Sequence, residues 1–291
     1  TFVRADSTGA GRLVTSASSA SRLVTDIDLT LDRRTGDVLT SVSDNVPVAR
    51  DVPKDSAQSA LIARYREFLG PIAGEEVGLV TGDIKRDRKL LFTEGGRSVL
   101  GESPLGNLVA DAMATATPDA DFALMNPGGV RADLLNGPVT YEEAFNVQPF
   151  GNYLTTITLT EAQLQCVLEQ QFVVGNDNRN ILQPSEGFSY LVDPDGTTGT
   201  AGDECSGDRV PNESVTIDGV PIQSDDQATY DITVNNFLAD GGDGFTTLTR
   251  YSQRVDVVDP EDDLAALVAY LKSNQGISAP ATDRINIVGQ P

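Results

Sequence analysis

Residues 103–131 read SPLGNLVADAMATATPDADFALMNPGGVR, and this stretch decides the class of fold. Ser103 places a capping hydroxyl before Pro104, a residue suited to a first helical position, so a helix is expected over Leu105 to Ala114. The apolar run Asp121 to Met125 reads as a strand. It ends in Asn126-Pro127-Gly128-Gly129-Val130-Arg131, where glycine allows close approach of the backbone to a ligand. The same alternation continues downstream. Thr140 with Glu143, and Thr160 with Gln163, form capping-box patterns, the second opening a helix to about Phe172. Asp259-Pro260 is expected to cap a last helix, Glu261 to Lys272, with an apolar stripe of Leu264, Leu267, Val268 and Leu271. Strands are expected at 121–125, 153–159, 187–192, 229–235, 245–250 and 284–288. These elements describe a mixed α/β domain.

Upstream the pattern changes. Val24 to Leu31 alternates as a half-buried strand, turns at Asp32 to Gly36, and has a hairpin partner beginning at Val38-Leu39. Asp55 to Leu69 reads as one amphipathic helix, with Ala57, Ala60, Leu61, Ala63, Tyr65 and Leu69 as apolar contacts and Gly70-Pro71 as its stop.

Composition narrows the chemistry. The 291 residues hold 21 Lys and Arg against 43 Asp and Glu, a net charge of −22, and no His. Without His there is no Ser-His-Asp or Cys-His nucleophile system and no imidazole base. The acid excess disfavours nucleic acid and anionic membranes as partners. No run of roughly 18 apolar residues is present to span a bilayer. Cys166 and Cys205 are the two cysteines, either a single disulfide or two thiols.

Three glycine-rich clusters carry the candidate site. In the first, Asn126 offers an amide and Arg131 a planar fork for carboxylate or phosphate oxygens. Taken alone, it also reads as an ordinary turn. The second is Pro149-Phe150-Gly151-Asn152, and the third runs from Asn236-Phe237 through Gly241-Gly242-Asp243-Gly244 to Phe245. Each sets a Phe in a flexed loop. Two such rings can sandwich a flat ligand, and Asp243 can accept from sugar hydroxyls.

These clusters, preceded by Glu102-Ser-Pro-Leu-Gly106-Asn107-Leu-Val-Ala-Asp111-Ala112, occur in an order that resembles the C-terminal domain of the 5′-nucleotidase / UDP-sugar hydrolase family over about Gly78 to Val288. The resemblance implies an α+β fold with mixed sheets layered with helices, α/β/β/α, after a strand and a long linker helix. It divides the chain into residues 1–50, a remnant of an N-terminal metallophosphatase domain; 51–75, the inter-domain linker helix; and 76–291, the substrate-binding domain.

The resemblance also implies that Phe150 and Phe237 clamp a base and that Asp243 holds the ribose. Asn126, Gly129, Arg131 and Asn152 stand near base and sugar. A family arginine seven residues before the Gly of the L-G-N segment is Val99 here, and Arg97, two residues displaced, is its candidate replacement.

The metal-binding motifs of the family are absent, and Gly82 to Asp87 only imitates one of them. The expectation is therefore a C-terminal piece that binds nucleoside or nucleotide without turnover. Two divalent ions belong to the missing N-terminal domain, which would be its partner, and none to this chain. The resemblance places the protein outside the cell or at the cell wall. The alternative is a calcium-binding structural or adhesion module of an exported protein, built on the acidic loop Asp193 to Glu204, which has Thr198 where an EF-hand needs glycine.

Overall fold

The computed structural model describes residues 2–5, 11–173, 180–200, 202–222 and 227–289. The chain divides into two compact units, Thr1–Glu67 and Phe68–Pro291. The first holds two antiparallel hairpins, β1 (Phe2–Ala5) with β2 (Gly11–Val14) and β3 (Leu23–Leu31) with β4 (Val38–Pro47). Helix α1 (Ser56–Ala73) has residues in both units.

Two expectations for this helix are corrected. It runs through Gly70-Pro71 and ends only at Ala73, and the N–H of Gly74 beyond it donates to the Gly70 carbonyl at 3.0 Å. Proline removes one helical donor, and here the turn closes around that single loss. The apolar positions are not contacts either: α1 buries none of its residues, and Leu61, Tyr65 and Leu69 are exposed.

The second unit comprises β5 (Glu76–Val80), β6 (Leu90–Glu94), β7 (Arg97–Leu100), α2 (Pro104–Ala116), β8 (Phe122–Met125), β9 (Gly137–Thr140), α3 (Tyr141–Val147), β10 (Tyr153–Thr160) and α4 (Glu161–Gln170). Then follow β11 (Gln183–Pro184), β12 (Phe188–Val192), β13 (Thr216–Ile217), β14 (Val220–Pro221), β15 (Thr229–Asn235), α5 (Asn236–Ala239), β16 (Gln253–Asp262), α6 (Asp263–Ser273) and β17 (Ile285–Ile287). Ser103 caps α2 by accepting from the Gly106 N–H at 3.0 Å, and complete capping boxes at Thr140 and Thr160 open α3 and α4.

A mixed five-stranded sheet, β11-β8-β15-β10-β16, organises this unit. Strand alternation gives it two apolar faces. Phe122, Leu124, Ile157 and Ile232 pack with α4 and with the second sheet, β14-β13-β12-β17. Ala123, Met125 and Leu154 pack with α2, α3 and α6. The fold is α+β, with mixed sheets layered with helices. Phe122 and Phe188 stack across the layers with ring centroids 3.9 Å apart.

Two boundary expectations fail for local reasons. Residues 245–250 are not a strand. Phe245 and Leu248, three apart, both enter the core, which suits the 3₁₀ turn Thr246–Thr249 and not a two-residue period. The edge strand follows it as β16. Helix α6 is capped by Asp262, whose Oδ1 accepts from Ala265 N–H at 2.6 Å, while Asp259-Pro260 belongs to β16.

Cys166 on α4 is disulfide-bonded to Cys205. Two carboxylates of the acidic loop before Cys205 accept from its own backbone, Asp193 from the Asp195 N–H at 2.9 Å and Glu204 from the Gly202 N–H at 2.8 Å.

Candidate functional site

Topology brings the three glycine-rich clusters to one edge. Strands β8 and β15 are parallel, with Phe122 opposite Ile232, so their carboxyl ends coincide. Strand β10 runs antiparallel to β15, with Leu154 opposite Asn235, so its amino end lies at the same edge. Asn126 follows β8, Phe150 to Asn152 precede β10, and Phe237 to Asp243 follow β15. Loops at the carboxyl ends of sheet strands are a recurrent place for ligands.

The result is a cavity of about 470 Å³ lined by Asn126, Gly128, Gly129, Arg131, Phe150, Asn152, Phe237 and Asp243. All the candidate residues named from the sequence line it except Arg97, and Gly128 is the addition.

The polar groups of the cavity are held in place. Asn126 is buried; its Nδ2 donates to Asp243 Oδ2 at 2.9 Å, and its Oδ1 accepts from Asn235 Nδ2 at 2.9 Å. Asn235 in turn caps α5 by accepting from the Leu238 N–H at 2.9 Å. Asp243 has φ 54°, a left-handed conformation that Asp tolerates better than most residues. Gly242 before it has to be glycine, because a Cβ there would stand 2.5 Å from the Phe237 carbonyl oxygen. Arg131 donates to the Gly128 carbonyl at 3.1 Å, with its guanidinium carbon 5.7 Å from the Phe150 ring centroid. Asn152 donates from Nδ2 to Asp263 Oδ2 at 3.2 Å. Burial pushes the Asp263 carboxyl up to about 6.

The two phenylalanines of the cavity are not accounted for by core packing. Phe150 is 56% exposed and Phe237 44% exposed, whereas Phe122, Phe172, Phe188 and Phe245 are buried. Exposed rings on opposite loops of one cavity suit a flat ligand.

Arg97 does not line this cavity. Val99, where the resemblance leads one to expect an arginine, is a core residue, and Arg97 lies two residues back at the turn of the β6–β7 hairpin, opposite Glu94. Two residues of strand amount to about 7 Å, so the side chain is carried toward the hairpin tip.

Two arginines outside the candidate set stand beside it. Arg86 and Arg88 line an adjoining cavity of about 440 Å³, which shares Gly128, Arg131 and Asp243 with the first. Arg86 donates from Nη1 to the Val130 carbonyl at 3.3 Å, and burial lowers the pKa of Arg88 from its ordinary value. The signal was present: residues 85–89 read KRDRK, four cations in five positions of a strongly acidic chain.

The chain has no His, and among the described residues no group of three or more Cys, Asp or Glu side chains converges on one point. No helix is long and apolar enough to cross a membrane among the described residues.

Comparisons with known proteins identify the family. Residues 80–250 match the family described as 5′-nucleotidase, C-terminal domain. Endonuclease YhcR of Bacillus subtilis is 34% identical over 90% of this chain and 19% of its own length. Cell wall protein Lmo0130 of Listeria monocytogenes is 30% identical over 92% of this chain and 33% of its own. The crystal structure of a 5′-nucleotidase precursor from Thermus thermophilus superposes on all of this chain and 54% of its own, with a TM-score of 0.67 and 27% identity. The chain thus spans well under two thirds of each of these proteins. With the matched segment covering more than half of its residues and the three loops assembled at one edge, this chain belongs to the 5′-nucleotidase C-terminal-domain family.

Proposed function

We propose that this chain is the nucleoside- or nucleotide-recognition part of a larger 5′-nucleotidase-type phosphohydrolase. The observation that carries the reading is the cavity itself, where three loops place two exposed Phe rings, a carboxylate, an amide and a guanidinium together. The base enters between Phe150 and Phe237, where stacking is insensitive to base identity. Asp243, held by Asn126, accepts from the ribose hydroxyls. Arg131 and the neighbouring Arg86 and Arg88 offset the acidic field of the chain and leave room for a phosphate.

Binding and orientation are what these residues supply, so that a phosphate ester is presented to chemistry located elsewhere in the parent protein. Turnover in that parent would be metal-assisted, as the resemblance implies. The disulfide suits an exported protein, and the name of the Listeria relative, a cell wall protein, points the same way.

A crystal structure of the chain with AMP tests the placement. The expected result is adenine between Phe150 and Phe237 with the ribose at Asp243. Nucleotide bound away from this cavity would contradict it.

A further inference from the structure

Asn152 and Asp263 are joined twice. The Asp263 N–H donates to the Asn152 carbonyl at 2.7 Å, and Asn152 Nδ2 donates to Asp263 Oδ2 at 3.2 Å. Asp263 begins α6 immediately after the cap Asp262 and is only 1% exposed. Its Oδ1 is buried without a hydrogen-bond partner, so the amide of Asn152 answers a carboxylate that is under-satisfied. An ionised carboxylate has no proton to give. The Asn152 amide can therefore turn only its NH₂ toward Asp263. The reversed amide would set two acceptors against each other in a buried place, where such a mismatch is costly.

Asn152 also lines the cavity together with the two phenylalanines. Gly151, at φ 64°, bends the backbone between Phe150 and Asn152 so that neighbouring side chains serve the same space. Nδ2 places one of its two N–H groups on Asp263, which fixes Oδ1 at the other end of the amide as the acceptor available to a ligand. We propose that Asp263 is a positioning residue that fixes Asn152 as a hydrogen-bond acceptor toward the cavity, so that the site selects bases presenting an N–H donor on that edge. The inference rests on the cavity being the base site. It deepens that reading by assigning the polarity of one contact.

Adenosine and purine riboside separate the alternatives, since they differ by the amino group and the latter has no N–H on its rings. Titration calorimetry of the full chain at pH 8, above the Asp263 carboxyl's value of about 6, is the readout. One neutral hydrogen bond corresponds to roughly five-fold in affinity, and adenosine is expected to bind tighter by about that factor. In Asp263→Asn the new amide can either accept or donate, Asn152 is free to turn, and the ratio is expected to fall toward one while adenosine still binds. Circular dichroism checks the fold of the variant. If that variant does not fold, Asn152→Ala is the second test and must also bring the ratio to one.

Equal affinities in the unaltered chain, or a ratio unchanged in both variants, would overturn the proposal. Failure of both nucleosides to bind the unaltered chain would instead overturn the base-site reading, and this inference with it.

Discussion

Phe237→Ala is expected to weaken adenosine binding by roughly 10- to 100-fold, and Asp243→Asn to weaken it comparably while leaving the fold intact. A ring that stacks on a base contributes about 1–3 kcal/mol by alanine substitution. Phe237 is well placed to reveal that term alone, because it is 44% exposed and its removal opens no large core cavity. Asp243→Asn tests the sugar contact separately. Its Oδ2 accepts from Asn126 Nδ2, so the variant must either turn its own carbonyl to Asn126 or set two NH₂ groups together. In both cases the acceptor pair offered to ribose hydroxyls is lost. Calorimetric titration reads both variants. Affinities within two-fold of the unaltered chain would remove these residues from the site.

The second large effect is on stability. Asp111 on α2 forms a paired contact with Arg284, Oδ1 to Nη1 at 2.7 Å and Oδ2 to Nη2 at 3.0 Å. Asp111 Oδ1 also accepts from the Glu186 N–H at 2.6 Å, and Arg284 Nη1 also reaches the Pro184 carbonyl at 2.8 Å. The side chains are 9% and 12% exposed. Removing one partner of a largely buried pair leaves the other charge uncompensated, which costs about 3–5 kcal/mol. Asp111→Ala is therefore expected to lower unfolding stability by that amount in urea titrations, without altering the cavity loops. A loss below about 1 kcal/mol would mean that the pair is effectively screened, as exposed pairs are.

This network shows why the segment Glu102 to Asp111 is readable as a family mark and not as a site. Glu102 accepts from the backbone N–H groups of Arg284 and Ile285 at 2.9 and 3.0 Å, and Asn107 Nδ2 donates to Glu102 at 2.7 Å. Burial pushes the Glu102 carboxyl up, and these donors oppose that shift. The polar residues of the motif tie α2 to β17, and they do so inside the fold.

Legibility followed the range of each interaction. Caps act within four residues, so Ser103, Thr140 and Thr160 announced α2, α3 and α4 correctly. The cavity residues were legible because each lies in a glycine-rich loop next to a strand whose end the sheet topology then fixes. Where a residue's role depends on a distant element, local pattern misled. Leu61 and Tyr65 in α1 have an amphipathic spacing, yet both are exposed. Phe245 and Leu248 resembled strand residues until the core required both on one side of a 3₁₀ turn. Arg97 is the arginine nearest in sequence to the position the resemblance points to, whereas Arg86 and Arg88 line the adjoining cavity from the segment before β6. Only the folded hairpin distinguishes the two cases.

The central claim is that the cavity formed by Phe150, Phe237 and Asp243 recognises a nucleoside. Titration of the unaltered chain with adenosine, followed by calorimetry, tests it most directly. The account predicts saturable binding at one site per chain. Absence of binding up to millimolar adenosine, with the fold intact by circular dichroism, would contradict it.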